Sequence, residues 1–278
     1  MIKKLTKLQT ILLVILIVFI GNIVILNGIP RLIAFFSSQL GYKISSKNQM
    51  TKYIVGTVVR IIGIVACFEF MKMIGIIKRF KWNFNKGYFA VSWLFFIYII
   101  FNFEYTIISF NMISAVIMMI ISSLFIGLYE EILFRGLILS LMFRHYGKTK
   151  KEIYFSVIFT SIVFGLFHFF NLFSGSSIIS VVTQVVYATI VGIFFSALLL
   201  RTKNNLLWCA LLHGLYDAAN SFGDFAKKGT LVASSKFYIL PYLINLAEFI
   251  PLLLLGLFLL RKVINVTIDG TVIISENS

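Results

Sequence analysis

The chain has 278 residues, of which 60% are hydrophobic, 16% aromatic and 13% charged, against the roughly 25% charged residues of a soluble domain. So few charges cannot cover a water-soluble globule, and the mean hydropathy of +0.98 is sustained along the chain, which excludes a soluble enzyme, a secreted disulfide module and a disordered chain. The net charge of +15 comes from cations placed between apolar runs, the pattern of membrane loops facing anionic headgroups, so the lipid bilayer rather than nucleic acid is the expected partner.

The first uncharged stretch, 8–29, is long enough to span a bilayer, which takes about 20 apolar residues. It exceeds a signal-peptide core and no small-x-small cleavage site follows, so it reads as an uncleaved span. Seven further spans are expected over 53–77, 87–103, 105–129, 153–170, 178–200, 206–222 and 237–260. The cluster Asn171-Leu-Phe-Ser-Gly-Ser-Ser177 turns what would be one over-long run into two antiparallel helices. Cys67 and Cys209 lie far apart inside apolar runs and read as ordinary buried residues. The fold class is therefore all-α, a polytopic transmembrane bundle of about eight spans. It forms one membrane domain over 1–278, with a core at 105–222 that carries the candidate site residues and a short polar tail at 269–278.

With the N-terminus inside, the cytoplasmic segments hold fifteen cations, among them Lys7, Lys81, Arg144, Lys150, Arg201 and Arg261. The opposite side holds seven, including Arg31, Lys52 and Lys236. This bias predicts both termini in the cytoplasm.

The remaining ionisable residues fall inside spans, where a charged group at the helix centre costs at least about 2.5–3.5 kcal/mol and calls for an explanation. Glu69 and Lys72, three apart, are expected to pair; Arg60 is expected to snorkel toward an end. Glu248 sits between Pro241 and Pro251 in a helix expected to be kinked.

The other residues form a constellation. In Glu130-Glu131-Ile-Leu-Phe-Arg135 a helix sets Arg135 one turn beyond Glu131, so these two neutralise each other while Glu130 points about 100° away and stays free. In Phe164-Gly-Leu-Phe-His168 and His213-Gly-Leu-Tyr-Asp217 the i,i+4 spacing puts each pair on one helix face. Counted from the nearest cytoplasmic basic residue, Glu130, His168 and His213 lie roughly 21, 26 and 15 Å deep at 1.5 Å per residue, so three spans can present them at one level.

A desolvated carboxylate beside two imidazoles suits the activation of water for hydrolysis. Glu130 would act as general base, His168 would orient the water or shuttle its proton, and His213 with Asp217 would stabilise an oxyanion. Asp217 contributes there only if it orients His213 or carries a proton. Equally, Glu130, His168, His213 and Asp217 make a shell of N and O ligands that could hold Zn²⁺ and lower the pKa of a bound water. Both chemistries are open to these residues, and no metal is obligatory. Other protease signatures are absent: there is no H-E-x-x-H, no second intramembrane Asp joins Asp217, and Ser176 and Ser177 belong to a turn.

The ordered set Glu-Glu-x-x-x-Arg, Phe-x-x-x-His and His-x-x-x-Asp on successive spans, over about 129–220, resembles the CAAX protease and bacteriocin-processing (CPBP, or Abi) family, related to the type II CAAX prenyl endopeptidases. The resemblance implies an intramembrane endopeptidase in which Glu130 is the catalytic base, Glu131 and Arg135 complete the first motif, and His168, His213 and Asp217 fill the remaining catalytic positions. The prenyl endopeptidases carry Asn where this chain has Asp217, and the Ile-, Phe-, Lys- and Asn-rich composition points to the bacterial branch. The expected substrate is a peptide, leader or pheromone at the bacterial cell membrane, as in bacteriocin processing or self-immunity. The family is described both as metal-dependent and as a glutamate-type protease. A different class of function, a catalytically silent scaffold or regulator of a partner membrane protein, would use the same fold; a proton-coupled transporter would be expected to show paired repeats, and none is present.

Overall fold

A computed structural model of the chain describes residues 5–41, 48–77, 80–81, 85–103, 112–225, 240–266 and 272–274. The starts of the expected spans at Tyr105 and Phe237, several loop cations (Lys3, Lys4, Lys43, Lys47, Lys78, Arg79, Lys227, Lys228 and Lys236) and most of the tail lie outside the described residues.

The helices in order are α1 (Lys7–Ile20), α2 (Ile29–Gln39), α3 (Gln49–Met73), α4 (Lys86–Phe101), α5 (Ile113–Glu131), α6 (Leu139–His145), α7 (Lys150–Phe167), α8 (Ile178–Arg201), α9 (Leu206–Ser221), α10 (Leu240–Glu248) and α11 (Ile250–Leu260). π-helical turns at Gly21–Gly28 and Ile132–Ile138 join α1 to α2 and α5 to α6 without a break. The all-α membrane bundle holds. Among the described residues, six continuous helices are long and apolar enough to cross a bilayer: Lys7–Gln39, Gln49–Met73, Ile113–His145, Lys150–Phe173, Ile178–Arg201 and Tyr242–Leu260. α4 and α9, expected as the third and seventh spans, have 16 residues each, about 24 Å at 1.5 Å per residue against a hydrocarbon core of about 30 Å.

The sequence explains where the helices start and bend. Thr6, Asn48, Asn85, Thr149, Ser177 and Asn205 each accept a backbone N–H of the first turn that no helical carbonyl can reach. The first helix runs ten residues past the expected end at Ile29, taking in Arg31. Pro30 stands in the first turn of α2, directly after the π-turn, where the missing N–H is tolerated. The expected turn after α7 is a 3₁₀ segment, His168–Ser174, closed by Gly175 at φ +89°, and the kink near Glu248 is a break at Phe249 between α10 and α11. Beyond α11, β1 (Val263–Val266) pairs antiparallel with β2 (Val272–Ile274), a strand inside the segment expected as a polar tail.

The most extensive packing is that of α5 on α9, followed by α7 on α8 and then α8 on α11, with α3 on the far side of α5. Two glycines allow the α5–α9 approach. A Cβ on Gly127 would fall 2.4 Å from the Gly214 amide nitrogen, and one on Gly214 would fall 2.7 Å from Leu124 Cα. Helices in lipid associate through such small-residue contacts because burial from water drives nothing there. The outward side chains, such as Leu12, Phe19, Val65, Trp93 and Phe258, are apolar and exposed, as a lipid-facing surface requires. At one end Lys7 bridges Glu152 at 2.9 Å, Lys150 donates to the Arg261 carbonyl at 2.9 Å, and Arg144 donates to the Ile74 carbonyl. Cations grouped on one side from the sequence therefore meet at one end of the bundle. Glu69 and Lys72 pair at 3.8 Å, as their spacing predicts.

Candidate active site

The close crossing of α5 and α9 brings Glu130 and Glu131 against His213. Glu131 is fully buried, and its Oε1 lies 2.9 Å from Arg135 Nη1, so the predicted pair forms. Arg135 begins its turn in the π-helical segment and is itself buried, with the guanidinium 4.5 Å from the Phe164 ring centre and 5.6 Å from that of Phe195. The same Oε1 lies 2.8 Å from His213 Nδ1. A carboxylate only accepts, so Nδ1 carries the proton and Nε2 faces the cavity. There Nε2 lies 3.6 Å from Glu130 Oε2 and 3.8 Å from Asp217 Oδ2. The ring is fixed by stacking on Phe195 at 5.4 Å and by the edge of Phe164 at 6.0 Å.

His168 sits where α7 gives way to the 3₁₀ turn. Its Nδ1 lies 3.1 Å from the Phe164 carbonyl, so this imidazole too presents Nε2. Phe164 packs against both histidines and Arg135, which gives the first residue of the Phe-x-x-x-His motif a physical role. Glu131 and Arg135 lie behind the cavity, while Glu130, His168, His213 and Asp217 line it. The six residues of the constellation, Glu130, Glu131, Arg135, His168, His213 and Asp217, are thus in one neighbourhood.

The cavity has two lobes sharing Ile126, His168, Gln184, His213 and Asp217. The larger, about 480 Å³, is walled by Asn102, Asn220, Asn245, Tyr187 and Tyr216 among others. The smaller, about 230 Å³, adds Glu130, Asn22, Asn171, Phe167, Phe170 and Arg60. Arg60 corrects an expectation, since it does not snorkel. It turns inward because the α3–α5 contact is tight at Gly63, where a Cβ would fall 2.5 Å from the Tyr129 ring, and this sets the rotation of α3. Asn22 was also missed; it lies in the π-turn and accepts from Asn27 Nδ2 at 2.8 Å. A polar pair in an otherwise apolar first span was the signal available for it. Glu248 lines a further cavity of about 450 Å³ with Tyr98, Phe101 and Asn102, the last of which also walls the larger lobe.

Among the described residues, no group of three His, Cys, Asp or Glu side chains is disposed to hold a metal ion. His213 Nδ1 is committed to Glu131, and its Nε2 lies 3.6 and 3.8 Å from Glu130 and Asp217; with His168 Nε2, these are the N and O groups that would hold a Zn²⁺, which would lower the pKa of a bound water.

The fold and site define a multi-pass membrane protein with a carboxylate–histidine centre buried among its helices. Residues 112–219 match the family described as type II CAAX prenyl endopeptidase Rce1-like, the relatives that the motif resemblance names. The matched stretch runs from just before α5 to the end of α9, and so contains Glu130, Glu131, Arg135, His168, His213 and Asp217. It supports a peptide hydrolase of the CAAX protease type. No curated protein and no solved structure matches the chain.

Proposed function

We propose that the protein is an intramembrane endopeptidase that hydrolyses a membrane-associated peptide or leader with water activated by Glu130. The observation that carries this reading is that Glu130 reaches the cavity beside His213 while Glu131 is held by Arg135. Two adjacent carboxylates thereby take different work, one structural and one chemical.

In this reaction Glu130 takes a proton from water as its oxygen adds to the scissile carbonyl carbon. The resulting oxyanion faces the imidazoles. His213 has given Nδ1–H to Glu131, so it donates Nε2–H to the oxyanion only as imidazolium, and the carboxylates of Glu131 and Glu130, both within 4 Å, balance that charge. His168 orients the water through Nε2. The C–N bond then breaks, and the proton held by Glu130 passes to the leaving nitrogen. Asp217 acts through His213 rather than on the oxyanion, which a bare carboxylate would repel.

The proposed location is a bacterial cell membrane, supported by the Ile-, Phe-, Lys- and Asn-rich composition, with both termini cytoplasmic, supported by the cation bias of the loops. Processing of a bacteriocin or pheromone leader, or immunity to one, is the role proposed. The test is cleavage of a mixed peptide library by purified wild type and Glu130→Gln in liposomes, with and without chelator. Cleavage lost in the variant but kept in chelator supports the glutamate mechanism. Loss in chelator as well assigns a zinc-held water. No cleavage, with a cellular phenotype that survives Glu130→Gln, makes the protein a scaffold or regulator.

A further inference from the structure

Arg60 and Arg135 are both inside the bundle, and only one has a carboxylate. Arg135 is paired at 2.9 Å. Arg60 has no carboxylate within 4 Å among the described residues; its Nη1 donates to the Gly56 carbonyl at 3.3 Å, and its Nε is shut off from solvent with no partner. A guanidinium held in a membrane domain with an unmet donor is costly unless something else meets it. It opens on the smaller lobe, which amide side chains also line: Asn22, Asn171 and Gln184. This lobe holds Glu130 at its wall and is continuous, through His168, His213 and Asp217, with the larger one.

Size and charge narrow the occupant. At about 230 Å³ the lobe is below the roughly 300–1,000 Å³ usual for ligand pockets, so it takes a chain end or one side chain rather than a peptide running through. A planar guanidinium is matched by a carboxylate, which it can grip with two parallel N–H bonds. Glu130 and Asp217 are within electrostatic reach of Arg60 without touching it, so the cation is not used up by the catalytic acids. Resting on the peptidase reading above, we propose that Arg60 is a specificity residue that binds a carboxylate of the substrate in the small lobe, fixing the scissile bond beside Glu130. That carboxylate is either the free C-terminus or an acidic side chain close to the cleavage point.

The test uses the full chain in liposomes and fluorescent peptides from the library. Each is made as the free acid, as the C-terminal amide, and with Asp or Glu near the cleavage point replaced by Asn or Gln. Wild type is expected to favour one carboxylate form over its neutral counterpart by about 30-fold in kcat/KM, the scale of a charged hydrogen bond. R60Q brings that ratio near one, and R60K, which keeps the charge, retains part of it. Whichever neutralisation removes the preference identifies the source of the carboxylate. Anisotropy of the same peptides on Glu130→Gln, with and without R60Q, reads the preference as binding and needs no turnover. Failure to cleave any peptide would therefore count against the peptidase reading alone. A wild type indifferent to all neutralisations, or an R60Q that lowers every peptide by one factor, overturns the proposal and makes Arg60 a counter-charge. Thermal melts of R60Q and R60K separate either result from misfolding.

Discussion

His213 is held by Glu131, 82 residues away in sequence, and not by Asp217 one turn along its own helix: the contacts are 2.8 and 3.8 Å. The second Glu of the Glu-Glu motif is therefore the carboxylate that sets the imidazole's tautomer, and Arg135 anchors that carboxylate from behind. One oxygen, Glu131 Oε1, serves both partners. The geometry of the site hangs on an ion pair that faces away from the substrate.

The first prediction concerns that pair. Arg135→Met leaves a fully buried carboxylate without its cation, and breaking a buried pair costs about 3–5 kcal/mol. A marked fall in melting temperature in detergent is expected, with most of it recovered in the double variant Glu131→Gln, Arg135→Met, which buries no net charge. The double variant should nevertheless remain inactive on peptides, because an amide no longer pulls the His213 tautomer one way. Full activity in the double variant would show that the tautomer is set elsewhere.

Glu130→Gln is nearly isosteric and removes no ion pair shorter than 3.6 Å, so its melting temperature should stay close to that of wild type. Peptide cleavage should fall by roughly 10²–10⁴-fold, the usual contribution of a general base. A loss of less than tenfold would move the base to another residue.

The bundle and its chemistry were legible in the sequence to different depths. Composition and run length located the helices apart from α2 and α6, which extend the first helix to Gln39 and the α5 helix to His145, and the i,i+4 spacing of Glu131 with Arg135 gave the pair that forms. Depth counting brought three spans to one level. Rotation about the helix axes was not legible, because a helix that is apolar on nearly every face carries no stripe to say which side turns inward. Arg60 was lost in that way: its inward face is set by Gly63 against Tyr129, a contact between distant parts of the chain. The π-turns at Gly21–Gly28 and Ile132–Ile138, which place Asn22 and Arg135, leave no pattern in residue type that periodicity can read.

Asp217 separates two roles. Its Oδ2 is 3.8 Å from His213 Nε2, too long for a direct hydrogen bond, so its effect is expected to run through a bridging water rather than through its charge. Asp217→Asn keeps the shape and a hydrogen-bonding group and should retain cleavage within about tenfold, whereas Asp217→Ala, which removes both, should lose more. Equal and severe losses in the two variants would assign the negative charge itself to the reaction, and a kcat measurement on one good peptide decides it.

The last prediction tests whether the α5–α9 crossing makes the site. Gly127→Ala places a methyl 2.4 Å from the Gly214 nitrogen and 2.8 Å from the Ala210 carbonyl, both backbone atoms that cannot swing away. Overpacking of this kind costs about 1–3 kcal/mol. Its larger effect is on distance, since the helices must part just where Glu131 meets His213 at 2.8 Å. Gly136→Ala is the matched control on the same continuous helix: its methyl meets only the ends of Leu206 and Met71 side chains, at 3.3 and 3.4 Å, which can shift. Gly127→Ala should lower kcat far more than its melting temperature suggests, while Gly136→Ala should change both little. Parallel losses in the two variants would mean that general packing, rather than this one crossing, sets the catalytic geometry.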